Sequence, residues 1–115
     1  MWHAGFKING LDFETIQAHE NANRSQPSNA FLQHVVDLAA KLSDESALVQ
    51  VQSSGSTGAP KIFTLDRQEL IASADLTLDQ FNLTPLSRVL LCLPITAISG
   101  LMMLFRAMRG GLDLY

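Results

Sequence analysis

A glycine-rich segment lies between two short runs of strand-forming residues, and it constrains the fold more than any other part of the chain. Residues 49–52 alternate apolar and polar side chains before the segment, and the β-prone residues 62–65 follow it. Gly55 and Gly58 can adopt backbone angles that a side chain would forbid, and they leave room for a ligand to approach the main chain. The pattern predicts strands over residues 47–51 and 61–65, joined by a loop whose backbone angles require glycine.

The composition of this loop suits an anion. Successive backbone N–H groups in a glycine-rich turn can converge on one anion. Four hydroxyl residues add donors, and Lys61 adds a flexible positive charge that is well suited to phosphate. A turn without a ligand is the alternative, because Ser, Gly, Thr and Pro commonly cluster in turns. A Walker-type P-loop is excluded, since Pro60 separates Gly58 from Lys61 and a strand-forming run follows instead of a helix.

The order of residues 53–61 resembles a known signature. It matches [ST]-S-G-[ST]-T-G-x-P-K at every fixed position, a pattern typical of the adenylate-forming acyl-CoA synthetase superfamily. Residues 91–102 resemble a second segment of that superfamily, often L-P-L-x-H-x-x-G-L, with Ala97 where many members carry histidine. The combination of residues 49–52 before the loop, residues 91–94 after it, and Met102-Met103 with Arg106-Ala107 beyond looks most like short o-succinylbenzoate–CoA ligases of menaquinone biosynthesis. The resemblance covers about residues 48 to 115.

The resemblance implies a two-step reaction. A carboxylate attacks the α-phosphate of ATP to give an acyl-adenylate and pyrophosphate, and the thiol of coenzyme A then displaces AMP. It implies ATP, Mg²⁺ and coenzyme A as cofactor and co-substrates, and o-succinylbenzoate as the acid. Another carboxylic acid remains an alternative, because Ala97 leaves the wall of the acyl pocket undefined. A non-catalytic module that binds only phosphate is the other alternative.

The site residues that the resemblance implies fall into two groups. Those that would line the β- and γ-phosphates of ATP are Ser53, Ser54, Gly55, Ser56, Thr57, Gly58 and Lys61. Those at the edge of an acyl pocket would be Thr96, Ala97, Ile98, Ser99 and Gly100. For the second group, a strand-to-helix turn without ligand contact is the alternative, since loops after parallel strands both connect elements and bind ligands.

No catalytic residue is assigned within this chain. The later adenine- and ribose-binding segments of the superfamily, its acidic metal-binding motif and the lysine of its C-terminal domain have no counterpart in the sequence. We therefore expect the chain to act as the N-terminal part of a longer ligase and to be inactive alone. On this interpretation residues 1–46 form an N-terminal strand and helical segment, and residues 47–115 begin the AMP-binding domain.

Composition narrows the possible partners. The chain is 47% hydrophobic and 17% charged, where about 25% charged is usual, so we expect part of its apolar surface to pack against structure outside the chain. The net charge is −3 without a basic cluster, which argues against nucleic acid. The longest apolar stretch is interrupted by Arg106 and is shorter than the roughly 20 residues that span a bilayer. The lone Cys92 fits a reducing compartment, so a cytoplasmic location is expected.

The remaining periodicity predicts an α/β fold, the N-terminal fragment of a large adenylating domain, with a largely parallel sheet and helices packed on its faces. His3, His19 and His34 show no metal-ligand spacing, so no metal site is predicted, and we expect these side chains at the surface. Besides the two strands already described, the predicted elements are strand 6–9, turn 9–10, helix 11–22, loop 21–29, helix 31–42, helix 67–82, a strand at 89–93 buried on both faces, an all-round apolar helix 98–108 and a strand from 112.

Overall fold

The computed structural model describes residues 3–24, 30–53 and 58–115. Within these ranges the chain forms four helices and six strands, a mixed α/β arrangement that confirms the predicted fold class. The helices are α1 (Phe13–Ala22), α2 (Ala30–Ser43), α3 (Arg67–Gln80) and α4 (Ile98–Gly110). The strands are β1 (Lys7–Ile8), β2 (Leu11–Asp12), β3 (Val49–Gln52), β4 (Ile62–Leu65), β5 (Arg88–Val89) and β6 (Asp113–Leu114).

A four-stranded sheet joins the beginning and the end of the described chain, in the order β2-β1-β6-β5. β6 pairs in parallel with both β1 and β5, while β2 is antiparallel to β1. Parallel neighbours need a long crossover, and α4 supplies it between β5 and β6. The boundary between residues 46 and 47 stays a prediction, although strands from both sides of it share this sheet.

The Asn9-Gly10 turn is confirmed, and it explains why α1 begins later than predicted. Both residues have left-handed backbone angles, with φ of 52° and 78°, as a two-residue hairpin turn requires. Leu11 and Asp12 then pair with β1 instead of starting the helix. The Asp12 carboxylate caps α1 by accepting a hydrogen bond of 2.9 Å from the Thr15 N–H.

The strands around the glycine-rich segment form a sheet of their own. β3 and β4 are antiparallel, with Val49 opposite Leu65 and Gln52 opposite Ile62. The sequence did not separate them from the parallel sheet, but the segment between them is shorter than the crossover of about a dozen residues that parallel strands need. Val49 and Val51 face the core, so Gln50 and Gln52 face outward.

The prediction of a strand at residues 89–93 buried on both faces is wrong. β5 ends at Val89, although the Leu91 N–H still donates to the Tyr115 carbonyl at 2.6 Å. Leu90 is 65% exposed, and Cys92 and Leu93 are also exposed. The reason is position, because β5 is the edge strand of the described sheet and has a strand on one side only.

Helix α4 is the centre of the core, as its all-round apolar sequence predicted. Its residues Leu104, Phe105 and Met108 are completely covered, and the helix packs on α3, α2 and β6. Gly111 ends it with a left-handed φ of 68°, the conformation in which glycine commonly closes a helix. In the described part of the chain, no helix combines the length and the apolar character needed to cross a membrane.

The apolar faces of α2 and α3 are buried in the middle and open at the ends. Val35, Ala39 and Leu42 are covered in α2, as predicted. Phe31 and Phe81 also belong to the predicted faces, but they are 47% and 70% exposed, because they lie at helix ends beyond the packed centre. The Asp66 carboxylate caps α3, as predicted. The predicted capping of α2 by Ser28 or Asn29 lies outside the described residues. The three histidines are exposed, as expected.

Arg67 connects both arms of the β3–β4 hairpin to the helices. It is the first residue of α3, directly after β4 and its cap Asp66. Its guanidinium donates to the carbonyls of Leu42 at 2.8 Å, Asp44 at 2.9 Å and Ala47 at 3.2 Å, the first in the last turn of α2 and the others in the connection to β3. One side chain therefore holds the entry to β3 against the exit from β4.

Replacing Arg67 tests this connection. We expect Arg67→Met to lower the free energy of unfolding by about 1–3 kcal/mol, because three carbonyls lose a charged donor. Urea denaturation followed by circular dichroism measures the change. The matched control is Arg88→Met in β5, an exposed arginine with no hydrogen bond or ion pair recorded in the described part of the chain. Equal effects of the two substitutions would contradict the anchoring role.

An ion pair between α3 and α4 gives a pH-dependent contribution. The Arg109 guanidinium donates to both Asp75 carboxylate oxygens, at 2.8 and 3.0 Å. These hydrogen bonds lower the pKa of Asp75 below its ordinary value of 3.8. The contribution to stability is therefore present above pH 3.8 and is lost as the pH falls through the lowered folded-state pKa.

We expect Asp75→Asn to destabilise the protein by about 0.2–1 kcal/mol at pH 7, since the pair is partly exposed and screened by solvent. The difference from the unmodified protein should shrink as the pH falls below the ordinary pKa of aspartate. Thermal unfolding at a series of pH values checks this. A difference that is constant across the acidic range would show that the carboxylate charge is not the cause.

Candidate phosphate-binding loop and adjoining groove

The two ends of the glycine-rich loop are held together at its base. The Ser53 N–H donates to the Lys61 carbonyl at 2.8 Å, and the Lys61 N–H donates to the Ser53 hydroxyl oxygen at 2.9 Å. This pairing continues the β3–β4 ladder by one step and sets the width of the loop. Ser54, Gly55, Ser56 and Thr57 lie outside the described residues, so their predicted contact with phosphate stays a prediction.

Gly58 is needed for its conformation and not for packing. Its φ is 148°, within the range that favours glycine, and an added Cβ would meet no atom of the described residues within 4 Å. Among those residues, none blocks the approach of a ligand to the Gly58 backbone on this side. Lys61 is exposed at the same end of the loop, and no carboxylate of the described residues pairs with it. The described end of the loop therefore presents an accessible main chain and an uncompensated positive charge.

The second predicted segment lies beside the first. The Gln52 N–H, one residue before the loop, points to the Thr96 carbonyl at a long 3.4 Å. Ala97 precedes the first turn of α4 in an extended conformation and makes no side-chain cap. Ile98 and Ser99 are exposed, whereas Gly100 is buried. The structure thus brings Thr96 to the hairpin, while the role of residues 96–100 as an acyl-pocket edge stays a prediction.

Gly100 fixes the path of the turn before α4. A Cβ at this position would overlap the Pro94 carbonyl group and would lie 2.9 Å from the Ile95 Cα. Both neighbours are backbone, so neither can turn aside as a side chain can. Close approach of the helix to this turn therefore requires glycine, and the approach places Thr96 next to β3.

We expect Gly100→Ala to destabilise the protein by about 1–3 kcal/mol through overpacking, although alanine favours a helix over glycine by about 1 kcal/mol. The control is Gly110→Ala at the other end of α4, where the new methyl group would meet the ends of two side chains and no backbone, Leu78 at 2.6 Å and Leu112 at 3.3 Å. Denaturant unfolding of both variants measures the contrast. A stabilising Gly100→Ala change would show that the turn can move freely.

A groove of about 240 Å³ opens between the hairpin, the end of α2 and the turn before α4. Sequence reasoning identified only Thr96 among the residues that line it. The alternation in β3 does predict that Gln50 and Gln52 share the outward face, but no pattern indicates that Lys41 of α2 reaches the same place. The lining residues are Lys41, Gln50, Val51, Gln52, Ile62 and Thr96.

Metal-ligating chemistry is sparse in the described parts of the chain. No group of three or more His, Cys, Asp or Glu side chains there has an arrangement that could hold a metal ion. The loop base and the groove contain hydroxyl, amide and ammonium groups without a carboxylate. These groups can donate hydrogen bonds to an anion.

A solved structure is similar to this chain in fold and in sequence. It is the crystal structure of an acyl-CoA synthetase (AMP-forming)/AMP-acid ligase II-like protein from Dyadobacter fermentans DSM 18053, with a TM-score of 0.69 and 35% identity. The match covers 83% of this chain, a larger share than residues 48–115 make up, so it includes part of the N-terminal region. It covers 28% of that chain, so the present chain spans little more than a quarter of the matched protein.

Comparison with protein-family models found no match, and comparison with curated proteins found none. The structural match supports an AMP-forming acid ligase in general, and it carries no information on which acid is used.

Proposed function

We propose that this chain is part of an AMP-forming acid–CoA ligase, and that its loop at residues 53–61 binds the β- and γ-phosphates of ATP. The observation that carries the proposal is the complete signature of the loop on a hairpin whose base is closed by Ser53 and Lys61. The similarity to the AMP-forming protein from Dyadobacter fermentans supports the first part of the proposal, an AMP-forming acid ligase in general.

Ser53, Gly58 and Lys61 would have different roles at the loop. The Ser53–Lys61 pairing keeps the loop closed at its base. Gly58 leaves its backbone open to a phosphate oxygen. The Lys61 ammonium would balance the charge that grows on the pyrophosphate as it leaves, and donors fixed in advance are an effective way to stabilise such charge.

ATP and its metal fit the chemistry of this site. When bound, ATP would supply the phosphoanhydride that activates the acid, and coenzyme A would supply the thiol that accepts the acyl group. Because no carboxylate borders the described loop residues, Mg²⁺ would be held mainly by the phosphate oxygens, as magnesium often is. The role of this chain would then be to bind the phosphates and to fix their position.

For the acid, we propose o-succinylbenzoate, on the resemblance of residues 49–52, 91–94, 102–103 and 106–107 to the short o-succinylbenzoate–CoA ligases. Residues Thr96, Ala97, Ile98, Ser99 and Gly100 would border its pocket. Thr96 is adjacent to the loop, which supports a site where acid and phosphate meet. A different carboxylic acid is the second candidate, because Ala97 replaces the usual histidine.

Lys61→Gln tests the phosphate site with a measurement that needs no turnover. We expect the substitution to weaken binding of Mg²⁺-pyrophosphate to the 115-residue chain about fivefold, since an exposed ion pair contributes up to about 1 kcal/mol. Titration followed by NMR of the Ser53, Gly58 and Lys61 amides measures it. Lys7→Gln is the control, because it removes the same charge from β1. Pyrophosphate binding that is absent, or that both substitutions weaken alike, would contradict the proposal.

A further inference from the structure

We propose that the groove beside the loop binds the carboxylate of an organic acid that has an apolar body, and that Lys41 is the residue that selects the carboxylate. No feature of the sequence or of the matched protein's name assigns a role to Lys41 or to this groove. The statement that the bound acid is the substrate to be activated rests on the proposed function. The statement that the groove binds a carboxylate does not.

The charge of the groove is the first argument. Lys41 is exposed, and none of the described residues forms an ion pair with it. No acidic side chain lines the groove. The whole chain has a net charge of −3. The charge of the groove is positive, since a lysine and no carboxylate line it, and so it is opposite in sign to the net charge of the chain. It therefore favours an anion.

The second argument is the mixture of polar and apolar walls. Gln50 and Gln52 present two amide groups on the outward face of β3, and Thr96 adds a hydroxyl. Ile62 contributes an apolar wall that is 63% exposed. The lining therefore combines four polar side chains with two apolar ones, so it can meet both the charged group and the apolar body of a small organic anion.

The third argument separates a carboxylate from a phosphate. The groove is built from side chains and carries one cation, whereas a polyphosphate is usually held by several backbone N–H groups and more positive charge. A carboxylate carries a single charge and matches one ammonium with amide and hydroxyl donors. The groove volume of about 240 Å³ is below the roughly 300–1,000 Å³ of most ligand pockets, so an acid bound here would be small.

The position of the groove links it to the loop. Gln52 lines the groove and immediately precedes Ser53 at the base of the loop. Thr96 lines it from the second segment and meets the Gln52 N–H. An acid bound in the groove would therefore lie next to the loop residues that are proposed to hold the phosphates. Lys41 would therefore be a specificity-determining residue of the same site.

NMR titration of the 115-residue chain tests the inference. Three probes are used. Benzoate carries a carboxylate on an aromatic body, benzyl alcohol is its neutral counterpart, and inorganic pyrophosphate represents the phosphates of ATP. We expect benzoate to shift the amide signals of Gln50, Gln52 and Thr96, while benzyl alcohol leaves them in place. Lys41→Gln should weaken benzoate binding about two- to fivefold, as expected for an exposed charge, and Lys41→Glu should weaken it further.

Lys7→Gln and Lys7→Glu are the matched controls, because they change the net charge equally at β1. They should leave benzoate binding unchanged. Lys41 is in the last turn of α2, where an acidic residue is unfavourable for the helix. The neutral Lys41→Gln variant, with its amide spectrum outside the groove unchanged, therefore decides the question if the Glu variant is unstable.

Three results would overturn the inference. One is benzoate binding that Lys41 and Lys7 substitutions weaken to the same extent. Another is binding of benzyl alcohol as tight as that of benzoate. The third is a Lys41-dependent shift of the groove signals by pyrophosphate that exceeds the shift by benzoate, which would assign the groove to phosphate. Loss of pyrophosphate binding in Lys61→Gln is a separate measurement, so failure of the groove and failure of the loop are distinguishable.

Discussion

Burial of α4 is the constraint on which the rest of the structure depends. A helix that is apolar on nearly all sides must be covered by several elements at once, since each covered Å² contributes about 25 cal/mol. α3, α2 and β6 provide that cover. The turn before α4 and the connection after it are therefore fixed in space, and with them Thr96 at one end and β6 at the other.

The hairpin is attached to this core by two different kinds of interaction. Val49 and Val51 are buried and hold β3 by apolar contact. Arg67 holds the approach to β3 by hydrogen bonds to three carbonyls and belongs to the helix that follows β4. Apolar packing is insensitive to direction, whereas hydrogen bonds to carbonyls are directional. The combination fixes the base of the loop.

The sequence predicted those elements whose signal is local. Residues 30–43 form a helix because their apolar periodicity is strong, and residues 98–110 form a buried helix that is apolar on nearly all sides. The Asn9-Gly10 turn forms because few residues other than Asn and Gly tolerate its backbone angles. The predicted burial of residues 89–93 on both faces was wrong, because a run of apolar residues does not show whether a strand is central or at an edge. Edge position is a property of the sheet and depends on pairing with β6, which comes much later in the chain.

The same distinction explains which parts of the site were predictable. The loop could be identified because all of its signature lies within residues 53–61. Lys41 could not, because it reaches the groove from another helix and belongs to no motif. A motif that is contiguous in sequence suits a ligand shared by many enzymes, such as the phosphates of ATP, whereas a residue contributed from elsewhere can change without disturbing the motif. If Lys41 selects the acid, phosphate binding and acid selection are carried by separate elements that meet at Gln52, and the acid can change in evolution while the loop stays the same.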